Sequence, residues 1–133
     1  KLASTKAVIF WNKHQNGYFA EGELAWCSIG TVKYYDRAYQ KDIGNKIHPT
    51  QKPIDLYKWL LSNYAKPNDK ILDTHLGSMS ICIACHDMGF ELTGAELDKD
   101  YFNAGVDRVK KHVSQLSLFE PEELTTINQS LFD

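Results

Sequence analysis

Two segments of the sequence decide the fold: KILDTHLGSMS at residues 70–80 and LTGAELD at residues 92–98. The first predicts a short buried strand that ends at Asp73, a tight turn at Gly77 and the start of a helix. The second predicts another strand, which ends at Glu96. The two acidic residues are 23 positions apart, close to the spacing found in strand–helix–strand units that bind dinucleotides.

This pattern favours a site for an adenosine-containing cofactor above the two strand ends. A glycine turn lets the backbone approach a ligand, and the N–H groups at the start of the following helix are free to bind it. A carboxylate at the end of the second strand can accept hydrogen bonds from both hydroxyls of a ribose. Gly77 is the only glycine of the turn, and an ordinary strand–turn–helix without a ligand explains the pattern equally well.

The composition indicates one ordinary domain. The chain has 133 residues, 43% hydrophobic and 24% charged, which is enough for a core. No apolar run reaches membrane-spanning length, and the first residues do not form a secretion signal. Three cysteines give no disulfide framework, so we expect a cytoplasmic protein. The chain does not begin with methionine, which leaves a fragment or a natural truncation as interpretations.

The cysteines at positions 82 and 85 raise the question of haem. Residues 82–86, CIACH, match the attachment pattern of c-type haem. The segment lies in a predicted helix and no export signal precedes it. Cys82 and Cys85 share one helical face, so we interpret them as core residues and expect neither haem nor a metal.

Aromatic and basic residues alternate between positions 32 and 46. Tyrosines can stack on bases while lysine and arginine contact phosphates. The net charge of −2 is unevenly divided, with +5 on residues 1–70 and −7 on residues 71–133, which would place phosphate on the first half. A solvated surface loop accounts for the composition as well. The candidate DNA contacts are Lys33, Tyr34, Tyr35, Arg37, Lys41 and Lys46.

The remaining elements follow from local pattern. Strands are predicted at residues 7–11 and 24–29, antiparallel to each other. Helices are predicted at 54–64, where Pro53 occupies the first turn, from the glycine turn to Met88, and at 99–113. Gly89 and Asp98 are predicted to cap helix ends.

The last nineteen residues, 115–133, are acidic and loosely patterned. Within them, QLSLF at residues 115–119 is similar to the short peptide with which many bacterial proteins dock on the replication sliding clamp, through apolar anchors. Packing of the same side chains on the last helix is the alternative. The candidate docking residues are Gln115, Leu116, Leu118 and Phe119.

The order of several motifs resembles the DNA amino-methyltransferases that act on adenine N6 or cytosine N4. HPTQKP at residues 48–53 precedes a helix, LD and GS follow at 72–73 and 77–78, and GAELD with YF completes the pattern at 94–98 and 101–102. The resemblance covers about residues 47–113 and is weaker over the strands at 7–29. It is closest to the permuted group, in which the cofactor-binding half follows the catalytic half.

The resemblance implies S-adenosylmethionine (SAM) as cofactor and double-stranded DNA as substrate. Asp73, Gly77 and Ser78 would surround the methionine part of SAM, and Glu96 would hold the ribose hydroxyls. The segment 48–53 would complete the pocket. The implied cofactor residues are His48, Thr50, Lys52, Pro53, Asp73, Thr74, Gly77, Ser78, Glu96 and Leu97.

Two departures from the family pattern stand out. Met79 replaces a second glycine, and its side chain would either crowd the cofactor or point into the core. The catalytic segment of the family, an acidic or amide residue followed by two prolines and an aromatic residue, is absent from this sequence. In the permuted group it lies upstream of the first residue here, so we expect no catalytic residue in this chain.

The sequence therefore predicts an α/β, Rossmann-like methyltransferase sheet that is incomplete, with an antiparallel hairpin at one edge. Residues 1–114 would be the C-terminal part of a methyltransferase domain, with the hairpin and DNA-facing segment at 1–46, the cofactor half at 47–114 and a tail at 115–133. The intact protein would be bacterial or phage-encoded, with or without a restriction partner. A non-catalytic module that binds SAM or DNA, or a partner subunit, is the alternative, and a free sheet edge would allow a homodimer.

Overall fold

The computed structural model describes residues 6–15, 20–38 and 46–117. Five strands and three helices lie in these ranges. In chain order they are β1 (Ala7–Asn12), β2 (Gly22–Cys27), β3 (Lys33–Asp36), α1 (Ile54–Tyr64), β4 (Lys70–Asp73), α2 (Ser80–Met88), β5 (Glu91–Gly94) and α3 (Lys99–Ser117).

The first three strands form one sheet with β1 in the centre. β2 pairs with β1 in the antiparallel direction, with Ala7 opposite Cys27, which confirms the predicted hairpin. On the other side, β3 runs parallel to β1. Alternate residues of β1, namely Ala7, Ile9 and Trp11, are buried, as expected of a strand with one covered face. The sequence had not predicted β3, because its residues read as a loop.

β4 and β5 form a second, parallel sheet, with α2 as the connection between them. Asp73 lies opposite Gly94 in the register. Residues of both sheets and of α1 line an apolar groove of about 510 Å³, among them Trp26, Tyr57 and Leu72. The α/β fold is confirmed. The sequence predicted one incomplete sheet, whereas the described strands form two small sheets.

The core lies between α1, α2 and the second sheet. Its buried members are Leu61, Leu76, Met79, Ile81, Ala84 and Cys85. Burial raises the pKa of Cys85 to about 11, and burial together with Cys85 and Asp73 raises the pKa of Cys82 to about 12. Both thiols therefore stay protonated at neutral pH and behave as small apolar groups.

Helix ends follow the predicted capping. Gly89 ends α2 in the left-handed conformation, with φ 73°, and Asp98 Oδ1 accepts the N–H groups of Asp100 and Tyr101 at 2.9 Å each. Helix α3 runs to Ser117, four residues beyond the predicted end, so the predicted tail boundary at 115 lies inside it. Lys41, Leu118 and Phe119 lie outside the described residues, as does the side chain of Leu116.

Candidate functional site

The candidate site lies where β4 and β5 end. Because the strands are parallel, the loops after them meet at one edge of the sheet. The N–H of Ala95 donates to the carbonyl of Asp73, and the N–H of Leu76 donates to the carbonyl of Ala95, each at 3.0 Å. These two hydrogen bonds hold the loops side by side.

Glu96 joins the two loops through its carboxylate. Its Oε2 accepts the N–H of Gly77 at 2.7 Å, and its Oε1 accepts the N–H of Asp98 at 3.0 Å. The N–H groups of Asp98 and Gly77 hold the pKa of Glu96 below its usual value of 4.5. The group is therefore ionised at neutral pH. A carboxylate offers about four lone-pair positions, so these two bonds leave acceptor capacity for a ligand.

His48 lies over the glycine turn. A Cβ atom placed on Gly77 would lie 3.9 Å from the His48 ring, and the backbone of Gly77 has φ 52°, which favours glycine. The ring of Tyr101 contacts His48 with centroids 4.3 Å apart. On its other side, His48 Nδ1 accepts the N–H of Thr50 at 3.2 Å. The proline-rich segment and the glycine turn thus lie next to each other.

Gln51 shapes the proline-rich segment from inside. Its N–H donates to the carbonyl of His48 at 3.1 Å, and its Oε1 accepts the N–H of Ile47 at 3.1 Å. Gln51 and Pro53 are both buried. A buried amide oxygen that accepts a backbone N–H fixes the chain locally, so Gln51 sets the conformation in which His48 and Thr50 are presented.

Lys52 points towards the first sheet. Its Nζ lies 3.2 Å from Glu23 Oε2, and Lys13 Nζ lies 3.2 Å from Glu23 Oε1. Partial burial acts to raise the pKa of Glu23, but the charges and hydrogen bonds of Lys52 and Lys13 outweigh it, so the net shift is downward. The amino group of Lys52 therefore ties the proline-rich segment to β2.

This pairing leads to a pH-dependent prediction for Glu23→Gln. The side chain of Glu23 is 42% exposed, so we expect a loss of only about 0.5–1 kcal/mol of unfolding free energy at pH 7. A lowered pKa means that the carboxylate stabilises the fold above its unfolded pKa and loses this effect as the pH falls through the folded pKa. The unfolding free energies of the two proteins, measured in urea, should therefore converge as the pH falls below 4.5, the usual pKa of Glu23. A difference that is unchanged over this range would contradict the assignment.

Asp73 and its neighbours form the turn itself. Asp73 Oδ1 accepts the N–H of His75 at 2.9 Å, and Thr74 Oγ1 lies 2.9 Å from His75 Nδ1. Burial raises the pKa of Tyr57 to about 12, with smaller contributions from the charges of Asp73 and Glu23. Tyr57 therefore stays protonated under the end of β4.

Leu97 and Ser78 differ in their orientation. Leu97 is fully exposed beside Glu96, so an apolar side chain stands at the rim of the site. Ser78 is buried, and its hydroxyl lies 3.1 Å from the Ser80 hydroxyl. The Ser78 side chain is therefore engaged inside the protein.

The sequence pattern of the N6/N4 DNA methylase family matches residues 6–107. The chain belongs to this family of DNA methylases. The match covers the first sheet, the proline-rich segment and both loops of the site.

Two curated proteins of Escherichia coli K12 are similar in sequence. YubD, a methylase by name, is 38% identical over 110 residues, which are 82% of this chain and 47% of YubD. The DNA adenine methyltransferase YhdJ is 32% identical over 135 residues, which are 98% of this chain and 44% of YhdJ. The chain thus spans about half the length of these relatives.

Two crystal structures of M1.HpyAVI have the same fold. The M1.HpyAVI–SAM complex superposes with a TM-score of 0.64 at 23% identity, covering 79% of this chain and 62% of the other. The second M1.HpyAVI structure gives a TM-score of 0.53 at 25% identity, covering 80% and 59%. The methyltransferase fold predicted from the motifs is therefore confirmed.

Met79, which departs from the family pattern, points into the core. Its backbone has φ 57°, in the left-handed region where glycine is most at ease. A Cβ atom on Gly105 would come within 2.7 Å of Met79 Cγ. Gly105 of α3 therefore provides the space for the methionine side chain, which does not project into the site.

Three of the candidate DNA contacts lie on the two faces of β3, namely Lys33, Tyr34 and Tyr35. Side chains from one face and from the residue after the strand contact α1 in the pairs Lys33–Asn63, Tyr35–Trp59 and Arg37–Asp55. Tyr34 lies on the other face, where it stacks on Phe10 at 5.8 Å and is exposed. Lys46 is also exposed. Lys33, Tyr35 and Arg37 thus pack β3 on α1, while Tyr34 and Lys46 are exposed to solvent.

In residues 6–15, 20–38 and 46–117, no group of three or more His, Cys, Asp or Glu side chains could hold a metal ion. Over the same part of the chain, no helix has the length and apolar character needed to cross a bilayer.

Some residues of the site were not predicted from the sequence. Tyr101, Ser80 and Arg108 contribute contacts that connect distant segments. Gln51 fixes the proline-rich segment through contacts within that segment. Tyr101 and Gln51 lie in segments that the motifs had marked. For Ser80 and Arg108 no local signal exists, because their partners are 28 to 30 positions away in the chain.

Proposed function

We propose that this chain is the cofactor-binding part of a DNA methyltransferase that transfers a methyl group from SAM to an exocyclic amine, adenine N6 or cytosine N4. The observation that carries the proposal is the position of the Glu96 carboxylate. It accepts a hydrogen bond from the Gly77 N–H at the strand ends and still has lone pairs with which it can accept hydrogen bonds from a ligand. Membership of the DNA methylase family supports the reaction class. The SAM complex of M1.HpyAVI supports the cofactor.

The residues present suit SAM. Glu96 is ionised and can accept the two ribose hydroxyls, while the exposed side chain of Leu97 gives an apolar surface for the adenine. Asp73, Thr74 and Gly77 form the turn that would face the methionine part. His48, Thr50, Pro53 and the backbone of Lys52 would close the other side, with the Ser78 backbone between. When bound, SAM supplies a methyl group carried on a sulfonium.

The role of this chain in methyl transfer is to hold and orient the cofactor. Transfer to an amine in line with the sulfonium depends mainly on positioning. The target base would be flipped out of double-stranded DNA. A segment with two adjacent prolines, which grips the target amine in this family, is not part of this sequence, so we assign no catalytic residue to it.

Contacts with DNA would involve the exposed Tyr34 and Lys46 and the undescribed Lys41. Lys33, Tyr35 and Arg37 remain predicted DNA contacts. Their side chains would have to give up their contacts with α1 before they could bind DNA. Pairing of the free sheet edge in a homodimer, and docking of residues 115–119 on a sliding clamp, are further proposals that rest on sequence.

Leu97, the exposed leucine beside Glu96, leads to a prediction about SAM affinity. Leu97→Ser should weaken SAM binding about tenfold, because the adenine would lose an apolar surface to pack on. Leu24→Ser, on β2, is the matched control, because Leu24 is also an exposed leucine. Calorimetric titration of SAM into both variants measures the effect. Equal affinities in the two variants would place the adenine elsewhere.

The proposal as a whole is tested by titrating SAM into the 133-residue chain and then offering labelled SAM with duplex DNA. We expect SAM binding without methyl transfer. Transfer to DNA would support the enzyme and overturn the absence of a catalytic residue. A folded chain that binds duplex DNA but not SAM would support a DNA-binding module instead.

A further inference from the structure

Arg108 of α3 reaches across to the loop that carries the glycine turn. Its Nη1 donates to the carbonyl oxygen of Ser78 at 2.7 Å and to Ser80 Oγ at 2.9 Å. The residues it contacts lie 28 and 30 positions earlier in the chain. A guanidinium that binds a backbone carbonyl in a partly buried position forms a charge-assisted bond.

The Ser80 hydroxyl connects Arg108 to the proline-rich segment. Ser80 is 1% exposed, and its Oγ donates to the carbonyl oxygen of Lys52 at 2.8 Å. A hydroxyl has one proton and two lone pairs. The proton goes to Lys52, so the oxygen accepts from Arg108 and from the Ser78 hydroxyl, and its capacity is filled.

Three segments of the candidate site therefore meet at one hydroxyl. The carbonyl of Lys52 belongs to the segment that carries His48 and Thr50, and the carbonyl of Ser78 follows Gly77 directly. Fixing both carbonyls fixes the distance between the two walls of the site. The Lys52–Glu23 ion pair acts on the side chain at the opposite end of the same residue, so it does not replace this contact.

We propose that Arg108 is a positioning residue for cofactor binding, which acts through Ser80 to hold the His48–Pro53 segment against the glycine turn. This inference rests on the proposed SAM site. It requires no contact between Arg108 and the cofactor. Its effect is to keep the two walls in the bound arrangement before SAM arrives, which lowers the ordering cost of binding.

The test compares Arg108→Met, Arg108→Lys and Ser80→Ala in the 133-residue chain, with Lys111→Met as control, because Lys111 is an exposed cation on the same helix. Arg108→Met should weaken SAM binding roughly tenfold, which is the scale of one hydrogen bond to a charged group. Arg108→Lys should recover part of the affinity, because it keeps a cationic donor. Ser80→Ala should resemble Arg108→Met, and the double variant should lose little more.

Amide hydrogen exchange gives a readout that does not depend on SAM. Exchange should rise in residues 47–53 and 76–80 of Arg108→Met, with the rest of α2 unchanged. Unchanged SAM affinity in Arg108→Met would overturn the inference, as would a uniform rise in exchange, which indicates a general structural role. If the unmodified chain does not bind SAM, the proposed function fails, and the exchange pattern still decides whether Arg108 holds the two segments together.

Discussion

Glu96→Ala is expected to weaken SAM binding by roughly 10- to 100-fold, because two ribose hydroxyls lose a charged acceptor. The variant also removes the hydrogen bonds that the N–H groups of Gly77 and Asp98 donate to Glu96, so the turn itself is less well held. Glu96→Gln keeps one acceptor oxygen but brings an amide group towards hydroxyl and N–H donors. We expect its affinity to lie between that of alanine and the unmodified chain, measured by calorimetric titration.

Glu91→Ala is the matched control for Glu96. Glu91 begins β5, the strand that leads to the loop of Glu96. It is exposed and pairs with Lys70 at 3.2 Å, a surface ion pair of small energetic value. Its removal should leave SAM affinity unchanged. Because the lowered pKa keeps Glu96 ionised down to its usual value of 4.5 and below, its contribution should be constant from neutral pH to about pH 5. Equal affinities in Glu91→Ala and Glu96→Ala would remove Glu96 from the cofactor site.

Gly94→Ala is expected to destabilise the fold by about 2 kcal/mol, because a new methyl group would overlap a packed side chain. A Cβ atom on Gly94 would lie 2.5 Å from Leu76 Cδ2 and 2.8 Å from Leu76 Cγ. Leu76 is a buried member of the core, so its whole side chain would have to move. Urea unfolding measures the loss. The shift would also displace Gly77, so SAM affinity should fall as well.

Two further variants separate overlap from backbone effects. Gly89→Ala meets no atom within 4 Å but has φ 73°, so it should cost only about 1 kcal/mol of strain. Leu76→Ala removes the side chain that Gly94→Ala displaces, and the double variant should lose clearly less than the two single losses added together. Simple additivity would show that Leu76 is not the obstacle at Gly94.

Local patterns predicted the elements around the site well. The helix at Ile54–Tyr64, the cap at Gly89 and the cap at Asp98 depend on residues within a few positions of each other. β5 ends two residues before Glu96, since the acid belongs to the loop. β3 was missed because alternation over four residues, KYYD, is masked by polar side chains. Its pairing with β1 and its contacts with α1 come from distant partners.

The sequence by itself determined the strand–turn–helix at Asp73 and Gly77, the acid at Glu96, the proline-rich segment and the family they indicate. These features depend on short-range backbone preferences and on the order of the motifs, both of which can be read from the chain. Only the tertiary structure decided where Met79 points, what Lys52 binds and how Arg108 and Ser80 connect three segments. Each of these outcomes depends on a partner at least 26 positions away, and side-chain packing across such distances has no signature in a single sequence.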